Sequence, residues 1–491
     1  MSSILTNTSA MVALQTLKGI NKSLEMTQSQ ISTGKAVATA KDNSAVWAIS
    51  KVMEADVNGF KAISDSLSLG ESTVAVGQKA AETVQDLLGK MKEKIVSAQN
   101  ENVDRSKLQT DISALRDQIN TVVGAAQFNG LNMVQGTEDV NVLASLDRSS
   151  DGTVTASNIT VSRQDLSTSA GTYGSGTSLA ANTTDSAAAV VNTANTATVS
   201  YTGTWTASET ATVTVAGVDV TYTGSATTVT AIATGLAGSI NGLGLEGITA
   251  SNASGVLTIS STKAFESTSV AASDTSAAGG GTASAASIGE RAEKVSFSTA
   301  AAVSEGDGYK VTIGGSSYNY IAGKNETMED VARGLKTAID SAGLTDITTR
   351  VVQNSTTDAW ELKVDNDGSS LAFSSTGNAG GTASGGLFGL DSIDVTTNTG
   401  AATALDNIET LINNSIDAAA AFGSAAGRIE IQNDFIGSLS DALKSGIGTM
   451  VDADMEAASA RLQALQVQQQ LGTQALSIAN QAPQNILSLF R

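Results

Sequence analysis

The stretch Ile49–Ala98, "ISKVMEADVNGFKAISDSLSLGESTVAVGQKAAETVQDLLGKMKEKIVSA", carries one apolar seam along its length. Ile49, Met53, Asp56, Phe60, Ile63, Leu67, Gly70, Val74, Gly77, Ala81, Val84, Leu88, Met91 and Ile95 follow one another at alternating steps of four and three, with small or polar breaks. That spacing keeps one stripe of a helix turned toward a partner. At 1.5 Å per residue, a helix over 43–98 runs roughly 84 Å. A globular domain does not need such a rod, so the rest of the chain must be read for what covers it.

Upstream, Ala10, Leu14, Leu17, Asn21, Leu24, Gln28 and Ile31 form a shorter heptad series, separated from the rod by "STGKAVATAKDNSA". Downstream, Leu108, Ile112, Leu115, Ile119 and Val122 form another, ended by a chain-turning loop near "VVGAAQFNG". The far end mirrors this. Ile408, Ile412 and Ile416 start a stripe, and Ile429, Ile436, Leu443, Ile447 and Met450 extend it past "AAAAFGSAAG". Leu462, Leu465, Gln469, Gly472, Leu476 and Ala479 bring it to Pro483, the single proline of 491 residues. Proline has no N–H and biases the preceding residue away from α geometry, so the ladder is expected to break there. The final "QNILSLFR" then resumes as a short turn or helix.

An antiparallel bundle accounts for the pattern near 45–125 and 405–450. It does not account for residues 4–31 and 455–490, each of which offers one narrow stripe. A pair of helices has little interior, and fully burying one leucine is worth about 1.5–3 kcal/mol. Covering several such residues in neighbouring copies therefore decides whether the ends order. The ends call for a polymer.

Composition narrows the function. The chain is 41 % apolar but only 4 % aromatic, so its cores are built from Ala, Val, Leu and Ile. With 28 basic against 48 acidic residues the net charge is −20, which opposes a nucleic-acid partner and docking on an anionic membrane. No window approaches 20 continuous apolar residues, so no transmembrane span is expected. Cysteine and histidine are both absent. That removes disulfides, the usual zinc ligands and the Ser–His–Asp and Cys–His nucleophile pairs. No enzyme, cofactor or metal site is expected. The opening "MSSILTNTSAMVALQTLKG" shows neither a basic leader nor a cleavage pattern, so a cleaved signal peptide is not expected.

The middle zone contains a repeat. Val213, Val215 and Tyr222 match Val311, Ile313 and Tyr320 at an offset of 98, and Ile232, Leu236 and Ile240 match Val331, Leu335 and Ile339 at 99. Each copy reads strand, turn, strand, amphipathic helix, strand, strand. "SDTSAAGGGTASAASIGERAEK" reads as a flexible link between copies, from its Gly and Ser content. The segment before the first copy reads either as hairpins of a module or as a long surface excursion. "KVDNDGSS", with Asp365 and Asp367 beside Gly368, faintly echoes a calcium loop but fits better as a tight turn joining "WELKV" to "SLAF". "DADME", Asp452 to Glu456, is read as a solvated carboxylate patch or a source of inter-subunit salt links. Asn158–Thr160 and Asn182–Thr184 fit the N-glycosylation pattern only as chance allows in so Asn- and Thr-rich a chain. "STGK" at 32–35 lacks the glycine cradle of a phosphate loop and reads as a helix–loop connection.

"SILTNTSAMVALQTLKGINKSLEMTQSQISTGKAVATAKDNSA", "AAQFNGLNMV" and "VDADMEAASARLQALQVQQQLGTQALSIANQAPQNILSLFR" together resemble bacterial flagellin, over roughly residues 1–145 and 400–491. The middle copies resemble the small insert module of flagellins and hook-associated proteins. The resemblance implies an α+β multidomain protein whose coiled-coil-like terminal helices form the inner core of a filament, with small α/β or β-rich outer modules. The divisions expected are 1–40 with 452–491 as the paired inner helices, 41–145 with 401–451 as the next helical shell, and outer modules over 146–285 and 286–400. Polymer-core contacts are expected at Leu5, Leu14, Leu17, Leu24, Ile31, Leu471, Leu476, Ile478, Ile486, Leu487 and Leu489. The implied partners are many copies of the chain itself, an export chaperone, a cap and the hook–filament junction proteins. The implied location is the extracellular flagellum, reached by secretion. A junction protein, or a filament subunit with an added surface-adhesin role, stands as the alternative. An enzyme of the His-Glu-x-x-His metallopeptidase type, embedded in the insert, is opposed by the lack of histidine. One feature departs from the family: "LLGKMKEKIVSAQ" at Leu87 to Gln99 has lysines where flagellins sensed by the animal innate immune receptor carry arginines. Lysine cannot reproduce the planar donor fork, so strong recognition there is not expected.

Overall fold

The computed structural model describes residues 7–149, 153–223 and 228–489. Helix α1 (Thr8–Thr33) opens at Asn7, whose side chain accepts from the Ala10 N–H, and closes at Gly34 with φ 69°. "STGK" is thus the end of a helix. Helix α2 (Ser44–Ala98) is a single run of 55 residues, and α3 (Arg105–Ala125) follows behind an Asp104 cap. Asn129 and Gly130, both at positive φ, close the hairpin of β1 (Gln127–Phe128) and β2 (Leu131–Asn132). A ribbon of β3 (Val140–Arg148) and β4 (Val154–Val161) comes next.

The middle zone begins with β5 (Thr183–Asp185), β6 (Ala189–Val190) and β7 (Asn195–Gly203). The first copy of the repeat is β8 (Thr210–Val215), β9 (Val218–Thr223), α4 (Val229–Gly242), β10 (Ile248–Ala253) and β11 (Val256–Ser261). After it come β12 (Thr268–Asp274), β13 (Gly279–Ala283), β14 (Ser287–Ile288) and β15 (Glu293–Phe297). The second copy is β16 (Gly308–Ile313), β17 (Ser316–Ile321), α5 (Met328–Asp340), β18 (Ile347–Gln353) and β19 (Trp360–Asn366), followed by β20 (Leu371–Asn378). Helices α6 (Asn398–Val451) and α7 (Met455–Leu489) complete the described chain.

Two compact units result, one of residues 1–72, 141–161 and 425–491 and the other of 73–140 and 162–424. Helices α2 and α6 contribute to both. In the first unit Ile63, Leu67, Ile429 and Ile436 are buried, and the Ser64 hydroxyl donates to Asn433 Oδ1 at 2.7 Å. Gln432 Nε2 reaches the Ala144 carbonyl of β3 at 2.9 Å. In the second unit every seam position of α2 from Val74 to Ile95 is buried. Also buried in this unit are Ile408, Leu411, Ala418 and Phe422 of α6, with the Phe422 ring beside Gly77, and Ile112 and Ile119 of α3. Gln99 Nε2 donates to the Ala401 carbonyl at 2.7 Å and Lys92 pairs with Glu409, so the two long helices run antiparallel here. The α6 stripe differs from the expected one. Burial passes through Ile408, Leu411, Ser415 and Ala418, leaving Ile416 exposed, because the three–four step keeps the stripe on one side where a strict four-step drifts off it.

The two copies of the repeat are built alike. Sheet β10-β11-β7-β13 of one corresponds to β18-β19-β15-β5 of the other, and β14-β12-β8-β9 corresponds to β6-β20-β16-β17. In both, the helix packs on strands of both sheets, and Ile232, Leu236 and Ile240 answer to Val331, Leu335 and Ile339 in the two cores. Even the close approach repeats. A Cβ at Gly235 would lie 2.1 Å from the Tyr222 ring, and one at Gly334 would lie 2.3 Å from the Tyr320 ring.

Two expectations need correction. The Gly-rich stretch is not a flexible link: Gly279–Ala283 pairs with Gly203–Val199 as β13, its bare glycines lying against the Tyr201 and Trp205 rings. The strands β19 and β20 around "DNDG" belong to different sheets, so that turn is a crossing between layers rather than a hairpin. The second module is also discontinuous. Its edge strands β5 and β6 precede the first module, which is inserted whole between β6 and β15.

Candidate functional site

Helices α1 and α7 form an antiparallel pair within the first unit. Asn7 Nδ2 donates to the Ala479 carbonyl at 2.9 Å, and Gln469 Nε2 donates to Asn21 Oδ1 at 2.8 Å. At the far end the connectors are stitched by backbone bonds, Ala36 N–H to Val451 O at 2.7 Å and Ala453 N–H to Gly34 O at 2.9 Å. The "DADME" cluster has a local task there: Asp454 Oδ1 accepts from the Glu456 and Ala457 N–H groups, each at 3.0 Å, and caps α7. Across the loop at 38–42, the Thr39 N–H and hydroxyl bonded to Asp42 hold its carboxyl below the usual carboxylate range.

The inward positions of α7 are Ala458, Leu462, Leu465, Gln469, Gly472, Leu476 and Ala479, spaced as a heptad. Gly472 lies under α1: a Cβ there would be 3.2 Å from Leu17 Cδ1 and 3.7 Å from Ile20 Cδ1. On α1 the inward positions are Ala10, Ala13, Leu17, Ile20, Leu24, Thr27 and Ile31. Three of the seven expected register positions are therefore exposed, although Asn21 still accepts from Gln469 across the pair. Leu14, Asn21 and Gln28 are exposed, and Ala13, Ile20 and Thr27 take their places, Ile20 lying over the bare Gly472 of α7.

The residues expected to make polymer contacts fall into three groups. Leu17, Leu24, Ile31 and Leu476 are half-buried in the pair. Leu14, Leu471 and Ile478 are 45 %, 58 % and 69 % exposed. Leu5, and the side chains of Ile486, Leu487 and Leu489, lie outside the described residues. Sequence reasoning missed the neighbours that extend the exposed group, which are Met11, Val12 and Met26 on α1 and Met455 and Val467 on α7. Their signal was present in the sequence, but a search for one seam per helix discards a second.

Each helix thus has one covered stripe, and on the side away from it apolar residues stand exposed, with Val467, Leu471 and Ile478 of α7 falling on one line. Both helices are sparsely charged: α7 carries only Glu456 and Arg461, and α1 only Lys18, Lys22 and Glu25, which share the outer face of α1 with Met11 and Leu14 at helical spacing. When identical surfaces meet repeatedly, like charges face like charges unless they are sparse. Apolar, nearly neutral and flanked by Gln, Asn and Ser, these faces suit packing against further copies. Among the described residues no group of acidic side chains could hold a metal ion, and no helix is long and apolar enough to cross a membrane.

These are the features of a self-assembling structural subunit, with a helical pair made from both chain ends and β-rich modules in the sequence between them. The bacterial flagellin N-terminal helical region matches residues 4–139, and the bacterial flagellin C-terminal helical region matches residues 405–490. Over its whole length the chain is 31 % identical to Flagellin A and 30 % identical to Flagellin B of Rhizobium meliloti, each alignment covering 100 % of both chains. Among solved structures, flagellar hook associated protein-3 from Legionella pneumophila overlaps 82 % of this chain and 98 % of its own, at 9 % identity and a TM-score of 0.33, too low to bear on function. The chain belongs to the bacterial flagellin family.

Proposed function

We infer that this protein polymerises into the bacterial flagellar filament, the helical propeller of swimming. The observation that carries this reading is the set of apolar residues left exposed on the α1–α7 pair, with Leu14, Leu471 and Ile478 outward on helices that bear few charges. Burying them against sister copies supplies the driving force that a lone pair lacks. We further propose that 1–40 with 452–491 form the innermost layer, 41–145 with 401–451 the shell around it, and the zones 146–285 and 286–400 the outward part, the second module there taking its edge strands β5 and β6 from the first zone. On the same reading the eleven residues expected from the sequence contact neighbouring subunits, and the role of each is burial rather than chemistry. The chain is exported to the extracellular filament, with a chaperone for its C-terminal segment, a cap at the growing tip and junction proteins at the base.

Deletion of residues 477–491 tests the reading. The outer modules are expected to remain folded while filament growth is abolished, as followed by sedimentation and electron microscopy. Normal filaments from the truncated chain would defeat it. Full-length protein that never forms long homopolymers would favour the junction role instead.

A further inference from the structure

The expected break at Pro483 does not occur: α7 remains helical through it to Leu489. In a helix the Ala479 carbonyl bonds to the N–H four residues on, and residue 483 has none. A half-buried carbonyl without a donor is costly. The structure supplies a donor from the other end of the chain, the Asn7 side-chain amide, 2.9 Å from that oxygen. The same side chain turns its Oδ1 to the Ala10 N–H at 3.1 Å, capping α1. Asn7 thereby serves two helix defects at once, the orphan donor at the start of α1 and the orphan acceptor opposite the proline.

We propose that Asn7 is a positioning residue for filament assembly: its amide replaces the N–H that Pro483 lacks, so the last turns of α7 are completed by the docking of α1. Neither terminal helix then reaches its full form without the other. The residue type is required by this geometry. Aspartate would cap α1 equally well, but its carboxylate only accepts, whereas the amide both accepts from Ala10 and donates to Ala479. The proposal rests on the filament reading, since assembly is where the ordered ends are used.

A double-mutant cycle on the full-length chain tests it. Asn7→Asp keeps the cap acceptor and removes the donor, and Pro483→Ala restores the missing N–H. Loss of the donor is expected to raise the critical concentration for filament growth about tenfold in the unaltered chain. In the Pro483→Ala background the same change is expected to cost less than about twofold, because the helix now satisfies Ala479 itself. Equal penalties in the two backgrounds would overturn the proposal. If Pro483→Ala grows no filaments, solid-state NMR on unaltered, isotope-labelled filaments decides: a contact between Asn7 Nδ2 and the Ala479 carbonyl carbon supports the assignment, and its absence overturns it. Failure of the unaltered protein to polymerise would strike the filament reading itself, which these comparisons keep separate.

Discussion

Glu326 holds one carboxylate oxygen on the Tyr320 hydroxyl, 2.9 Å away, while the other is closed to solvent with no hydrogen-bond partner. It borders a cavity of about 220 Å³ shared with Asp330, Asp417, Asp165, Lys324 and Arg163. Burial pushes its pKa up to about 7 and Asp330 adds to the shift, against the hydrogen bonds from Gly323 and Tyr320. A carboxyl raised in the folded state stabilises the fold below its unfolded value of 4.5 and loses that contribution as pH rises through about 7. Glu326→Gln is therefore expected to melt at higher temperature than the unaltered chain at pH near 8, and to match it near pH 4.5. A gap that does not change with pH would reject this. The residue scale is also where sequence reading fell shortest. Asp365 and Asp367 were visible as a carboxylate pair, but what they bind is Arg291, whose Nε and Nη2 meet Asp365 at 2.8 and 2.6 Å from 74 residues away in the chain. Nothing local announces a partner at that distance.

Helix α2 shows why the rod was legible. From Ile63 to Ile95 each expected seam position is buried, because a three–four repeat fixes the inward face whatever lies opposite. Its glycines have different reasons to be there. A Cβ at Gly77 would lie 2.9 Å from Met133 Cβ, whereas one at Gly89 would meet nothing within 4 Å. Gly77→Ala is expected to destabilise the chain by about 1–3 kcal/mol through overpacking, and Gly89→Ala to stabilise it by about 1 kcal/mol through helix propensity. Urea unfolding of the monomer compares the two, and equal effects would refute the distinction. The register of α1 was only partly legible, since Ala13 gives a weak apolar signal and Thr27 none, and both are inward because α7 lies there. Strands β5 and β6 were illegible for a related reason. They are short, polar or Ala-rich, and their pairing to β15 and β20 spans the whole first module.

For the whole molecule, the insertion of one module into another sets what can be removed. Asn195 Nδ2 on the way into the first module bonds the Gly289 and Glu290 carbonyls on the way out, at 3.2 and 2.7 Å, so the ends of the insert adjoin. Replacing 196–288 by a short Gly–Ser turn is expected to leave the second module folded and filaments able to grow, whereas deleting 183–190 should unravel that module. Circular dichroism with electron microscopy distinguishes them, and an excised chain that neither folds nor assembles would contradict the nested arrangement. The nesting also imposes a timetable. Whichever end leads as the chain threads out, during synthesis or later, the inner module has emerged completely before the outer one can collect its edge strands. The second sheet pair must always close last, around a neighbour already in place.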